Sequence, residues 1–108
     1  MGADIDPIDP ATAAAEVEAG RAILVDVRDR SAFDSAHATP AVGIPIDQLA
    51  ARLEELPAGT TVITTCGGGT RGPRAAALLR EHDIDARPLA GGLRAWRAAD
   101  LPVVEEPA

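Results

Sequence analysis

The sequence has little sulfur and few aromatic side chains, and it has no lysine. Cys66 is the only cysteine of the 108 residues, so an internal disulfide and a cysteine-based zinc site are both excluded. Phe33 and Trp96 are the only Phe, Tyr or Trp residues. We therefore expect an aliphatic core, no metal or other cofactor, and a role for Cys66 as a thiol.

Positive charge is also scarce, because the 17 acidic residues outnumber the ten basic ones, which gives a net charge of -7. All ten basic residues are Arg. A nucleic-acid binder needs a basic face to displace counterions from phosphates, and this composition argues against one. No segment approaches the ~20 apolar residues of a membrane span, and the acidic first ten residues lack the basic start of a signal peptide. We expect a soluble, cytoplasmic protein without nucleic-acid or membrane partners.

The composition is otherwise that of one globular domain. Hydrophobic residues make up 46% and charged residues 25% of the chain, close to globular averages. This length supports one core and not two. We predict a single domain over residues 1–108, with its core at about 8–103 and frayed termini, including residues 103–108.

Strand-like and helix-like segments alternate along the chain. A continuous apolar run and a β-branched run indicate buried strands at 22–26 and 61–65, and shorter strands are predicted at 42–44 and 86–89. Helices are predicted at 11–19, 31–36 with Ser31 as cap, 46–56, 74–82 and 92–99. The alternation predicts an α/β fold with a central parallel sheet of about five short strands and helices on both faces.

The segment after the second buried strand begins with Cys66 and three glycines. In open α/β sheets ligands bind beyond the carboxyl ends of strands, which is where Cys66 is expected. Glycines allow backbone N–H groups to turn inward and form an anion-binding nest, and a helix N-terminus adds to this effect. Helix N-termini and neighbouring Arg lower the pKa of a thiol, so the expected anion is the Cys66 thiolate. A buried structural cysteine would not need these glycines, each of which costs backbone entropy on folding.

From about Ile8 to Val103 the chain resembles the rhodanese-like family of sulfurtransferases. The resemblance rests on four segments in the family's order and spacing: LVDVR at 24–28 followed by Phe33, His37 followed by AVGIP at 41–45, CGGGTR at 66–71, and GGLRAW at 91–96 followed by LPV at 101–103. It implies a small α/β domain with a central parallel sheet. It also implies a catalytic cysteine that carries sulfane sulfur as a persulfide.

The resemblance assigns Cys66 as the residue that accepts sulfur from a donor such as thiosulfate or a persulfide. The acceptor would be a nucleophile: cyanide, a thiol or a protein. The implied substrate-binding loop consists of Gly67, Gly68, Gly69, Thr70 and Arg71. Thiosulfate-using relatives often carry basic residues directly after the cysteine and another just before the aromatic residue that corresponds to Phe33. This chain has Gly67, Gly68 and Ala32 at these positions. Weaker anchoring of the donor is therefore expected.

Several neighbouring residues have two interpretations each. Asp26 and Arg28 lie at the carboxyl end of a predicted strand and are candidates either for lining the crevice or for a structural salt bridge. For His37 a structural role in a turn is favoured over proton transfer. Gly91 and Gly92 are expected either to let backbone approach the Cys66 loop closely or to begin the last helix.

Two other functions are compatible with related folds. Cysteine phosphatases and arsenate reductases use a Cys-x5-Arg loop, but here Gly72 occupies the Arg position and Arg71 comes one residue earlier. This loop is therefore expected to be too short for phosphate. A non-catalytic docking module or a partner-specific sulfur-relay module stays open, because an intact loop can also serve relay between proteins.

Overall fold

The computed structural model describes residues 6–68 and 70–105. The helices and strands in these residues are α1 (Pro10–Glu18), β1 (Ala22–Asp26), α2 (Arg30–Ser35), β2 (Ala36–Ala38), β3 (Val42–Gly43), α3 (Ile46–Leu49) with a following 3-10 segment (Ala50–Glu55), β4 (Thr61–Thr65), α4 (Arg71–Glu81), β5 (Ala86–Pro88), α5 (Gly92–Ala98) and β6 (Val103–Glu105).

The central sheet contains four parallel strands in the order β3-β1-β4-β5. Successive residues of β1 and β4 face opposite sides of this sheet, as the pleat requires. Val25 and Val62 belong to one core cluster with residues of α3 and α4, whereas Leu24 and Ile63 belong to a second cluster with residues of α1 and α5. Helices therefore cover both faces, which confirms the predicted α/β fold class, with four strands in place of about five.

The C-terminal segment differs from its prediction. Residues 103–105 are not frayed, because β6 pairs antiparallel with β2 in a second, two-stranded sheet. The backbone just before β6 is fixed by hydrogen bonds to the carbonyl of Pro102 from Trp96 Nε1 at 2.8 Å and from the Thr39 amide at 3.0 Å. Residues 106–108, for which fraying was also predicted, lie outside the described residues.

Three predicted helix boundaries are corrected. Asp29 caps α2, since its carboxylate accepts a hydrogen bond from the Ala32 amide at 3.0 Å, and Ser31 lies inside the helix. The predicted helix at 46–56 breaks into α3 and a 3-10 segment, in which Arg52 has a non-helical φ of -122°. α4 begins at Arg71, three residues before the predicted start, and this places its first turn beside the Cys66 loop.

Within the described part of the chain, no helix is long and apolar enough to cross a membrane. The same residues contain no group of three or more His, Cys, Asp or Glu arranged to hold a metal ion.

The Cys66 loop as candidate functional site

Cys66 directly follows β4, which is paired on both sides by β1 and β5. The residue is only 1% exposed and belongs to the core cluster that also contains Val25 and Val62. The backbone N–H of Arg71, the first residue of α4, donates a hydrogen bond to Cys66 Sγ at 3.3 Å. The start of α4 is therefore held against the sulfur. Gly69 of the predicted loop lies outside the described residues.

The first turn of α4 packs tightly on β4. Thr64 Oγ1 donates a buried hydrogen bond to the Gly72 carbonyl at 2.7 Å. A methyl group on Gly72 would lie 3.2 Å from the Thr64 carbonyl oxygen, closer than ordinary van der Waals contact. The missing side chain at Gly72 thus allows α4 to begin against the strand that carries Cys66, with the Arg71 amide directed at the sulfur.

Helix α5 holds the other side of the loop. The amide of Leu93 donates to the Cys66 carbonyl at 2.7 Å, and the amide of Arg94 donates to the Gly67 carbonyl at 3.0 Å. Gly91, at the N-terminal boundary of α5, has a left-handed φ of 73°. Both expectations for this glycine pair are met, because the pair begins the last helix and brings its backbone against the loop.

Gly91→Ala is expected to lower the stability of the fold and to weaken the hydrogen bonds between α5 and the Cys66 loop. A methyl group there would meet Ala95 Cβ at 2.6 Å in a backbone conformation that L-residues avoid. Gly20→Ala is the matched control, because Gly20 has a similar φ of 79° and nothing within 4 Å of the added methyl. We expect Gly20→Ala to lower the free energy of unfolding by about 1 kcal/mol and Gly91→Ala by about 2–4 kcal/mol.

Urea unfolding measures both losses, and amide hydrogen exchange at Leu93 and Arg94 reports the loop contacts. Faster exchange at these two amides is expected in Gly91→Ala alone. Equal stability losses in the two variants would contradict the close packing of Gly91 against α5.

Asp26 and Arg28 form a salt bridge at the carboxyl end of β1. The Asp26 carboxylate is buried and accepts from Arg28 through Nε at 3.0 Å and NH2 at 2.7 Å, while the Arg28 amide donates to Oδ1 at 3.0 Å. Arg28 NH2 also donates to the Ala36 carbonyl. The Arg28 stem borders the loop as well, since a methyl group on Gly67 would lie 3.9 Å from Arg28 Cδ. The salt bridge is therefore present and lies beside the Cys66 loop.

His37 is held by local contacts with Phe33. Its Nδ1 lies 2.7 Å from the Phe33 carbonyl, and its ring stacks on the Phe33 ring with centroids 3.9 Å apart. Phe33 in turn covers Gly43, where a methyl group would come within 2.9 Å of the ring. These contacts support the structural role favoured for His37.

Sequence reasoning missed Arg94 as a neighbour of the loop. A methyl group on Gly68 would lie 3.6 Å from Arg94 NH2 and 3.8 Å from its Cζ, so the guanidinium lies over the loop backbone. The only signal in the sequence was the position of Arg94 in the GGLRAW segment. That segment does not by itself show which loop α5 approaches.

The fold and site together define an α/β domain in which a cysteine-centred loop lies at the carboxyl edge of a parallel sheet. Residues 9–99 match the family model of the rhodanese-like domain, and the chain belongs to this family.

Relatives of this chain include both enzymes and a regulator. The chain is 35% identical over 107 residues to an HTH-type transcriptional regulator of Mycobacterium tuberculosis, covering 97% of this chain and 47% of the regulator. It is 34% identical over 82 residues to an adenylyltransferase and sulfurtransferase of Zea mays, covering 68% of this chain and 17% of that protein. The chain thus spans less than half the length of these two relatives.

Among solved structures, a thiosulfate sulfurtransferase from Pseudomonas aeruginosa superposes with a TM-score of 0.86 at 27% identity. The match covers 94% of this chain and 20% of that one. The rhodanese-like domain of an Anabaena protein superposes with a TM-score of 0.82 at 28% identity, covering 93% and 79% of the two chains. These likenesses agree with the family match.

Proposed function

We propose that this protein is a sulfurtransferase that moves sulfane sulfur from a donor such as thiosulfate or a persulfide to a nucleophilic acceptor through a persulfide on Cys66. The observation that supports this proposal most directly is the hydrogen bond from the Arg71 amide to Cys66 Sγ. This bond directs an N–H dipole at the only thiol of the chain. A hydrogen bond to the charged form of a group favours that form, so this contact supports the thiolate that must attack the donor.

The reaction needs no oxidant. The Cys66 thiolate attacks the outer sulfur of thiosulfate, a new S–S bond forms, and the donor's S–S bond breaks so that sulfite leaves with the electron pair. An acceptor such as cyanide then attacks the outer sulfur of the persulfide. Thiocyanate is released, and the electrons of the second S–S bond return to Cys66 as thiolate, which gives a two-step ping-pong scheme.

The proposal gives the loop backbone a binding role. Gly67, Gly68, Gly69, Thr70 and Arg71 would surround the outer sulfur of the persulfide with N–H groups, and the Arg28 stem would line the crevice beside Gly67. Contacts from α4 and α5 restrain both ends of the loop, so these groups need little reorganisation during the reaction. The sulfurtransferase names of the Zea mays and Pseudomonas aeruginosa relatives support this assignment. A cytoplasmic location, whose reducing conditions suit a working thiol, belongs to the same proposal.

Steady-state formation of thiocyanate from thiosulfate and cyanide tests the proposed reaction. Ping-pong kinetics are expected, in which each substrate changes the apparent kcat and KM for the other by the same factor. Absence of turnover with thiosulfate and with small-molecule persulfides would contradict the enzyme assignment.

A second candidate is a docking or sulfur-relay module that serves one protein partner. It is favoured by the 35% identity to part of a transcriptional regulator. A relay module would load sulfur onto Cys66 once but release it slowly to cyanide, whereas the proposed enzyme would turn over repeatedly. One sulfur added to Cys66 with little thiocyanate formed on addition of cyanide would therefore favour the relay module.

A further inference from the structure

The loop has no charged side chain between Cys66 and Arg71, yet a cation lies over it. The Arg94 amide is bonded to the Gly67 carbonyl, and the Arg94 side chain extends along the loop so that its guanidinium covers Gly68. NH2, Cζ and NH1 all come within 4.0 Å of a methyl group placed on Gly68. Gly68 and Arg94 are both exposed, so a ligand in solution can reach the guanidinium.

Unlike Arg28 and Arg97, Arg94 has no ion-pair partner among the described residues, a property it shares with Arg71 at the end of the loop. Arg28 is neutralised by the buried Asp26 carboxylate, and Arg97 on the same helix pairs with Glu105 at 2.6 Å. Across residues 6–68 and 70–105, the Arg94 guanidinium makes neither an ion pair nor a hydrogen bond. A positive group is thus left available beside the cysteine loop of a chain whose net charge is -7.

We propose that Arg94 is a donor-binding residue, whose guanidinium holds the anionic end of the sulfur donor while the donor's outer sulfur reaches Cys66. The inference rests on the proposed sulfur transfer and specifies its donor as a small oxyanion such as thiosulfate. A guanidinium fork binds two oxygens of a sulfonate-like group through charge-assisted hydrogen bonds. Arg94 would thereby supply the cation that the sequence lacks at Gly67 and Gly68.

The test compares Arg94→Gln with Arg97→Gln, which removes the same charge from the same helix away from the loop. A cation that holds the donor equally in the ground and transition states affects KM more than kcat. We expect Arg94→Gln to raise KM for thiosulfate about three- to tenfold with kcat within about twofold, and Arg94→Lys to restore part of the loss. Arg97→Gln should leave both constants unchanged.

Binding without chemistry is measured in a Cys66→Ser background by NMR titration with thiosulfate. Amide shifts at Gly68 and Arg94 should titrate in Cys66→Ser, and the affinity should fall on adding Arg94→Gln but not Arg97→Gln. Equal thiosulfate affinity in the two double variants, or equal KM in the two single variants, would overturn the role of Arg94. Absence of sulfur loading in the unmodified protein would instead overturn the proposed function, and the titration would still decide whether Arg94 binds the anion.

Discussion

Replacing Cys66 by Ser is expected to reduce thiocyanate formation to the uncatalysed background, a loss of at least about a thousandfold. Cys66 is the only thiol in the chain, and no other side chain can carry a persulfide. A serine hydroxyl is a far weaker nucleophile and cannot accept sulfane sulfur in a form that cyanide releases.

Two variants separate this loss of chemistry from a loss of structure. Cys66 lies in the apolar cluster of α3 and α4, so a serine hydroxyl there adds a polar group to the core, whereas Cys66→Ala does not. Both variants should show the circular dichroism of the folded chain and neither should turn over. Measurable turnover by a folded Cys66→Ala protein would assign sulfur transfer to another group.

Asp26→Ala is expected to give the largest loss of stability, about 3–5 kcal/mol, because it leaves the Arg28 guanidinium almost buried without its carboxylate. The Arg28 side chain is 11% exposed and the Asp26 side chain 1% exposed, so water can replace the lost partner only in part. A domain of this size has a total free energy of unfolding of roughly 5–15 kcal/mol, so the variant should be partly unfolded at moderate urea.

Asp34→Ala is the matched control, because the Arg30–Asp34 pair is 67% and 53% exposed and its loss should change stability little. Replacing both members of the buried pair, as in Asp26→Leu with Arg28→Met, should recover much of the loss, since no buried charge is then left unpaired. Similar urea midpoints for Asp26→Ala and Asp34→Ala would show that the buried pair does not stabilise the domain.

The parts of the fold that could be predicted are those whose local pattern agrees with their final environment. The continuous apolar run of β1 and the β-branched run of β4 are typical of strands buried on both faces, and both are central in the sheet. β6 could not be predicted in this way, because Val104 and Glu105 are exposed and the pairing with β2 depends on distant contacts of Pro102. The start of α4 at Arg71 could not be predicted, because Gly72 and Pro73 are usually poor helix formers.

In the candidate site, too, the residues with local sequence signals could be predicted and those that depend on tertiary contacts could not. Cys66 stood out because a strand, a glycine run and a helix follow one another in the sequence, so its surroundings are largely local. Arg94 and Gly72 did not, because their roles arise from tertiary contacts: α5 docks on the loop carbonyls, and α4 begins against Thr64. Only the packed structure brings these residues beside the Cys66 loop and its strand.

Intact-mass spectrometry after incubation with thiosulfate tests the central claim most directly. We expect the mass to increase by one sulfur atom, the added sulfur to be removed by cyanide, and no such adduct to form on Cys66→Ser. Absence of a cyanide-labile sulfur adduct with thiosulfate and with persulfide donors, or an equal adduct on Cys66→Ser, would contradict sulfur transfer through Cys66.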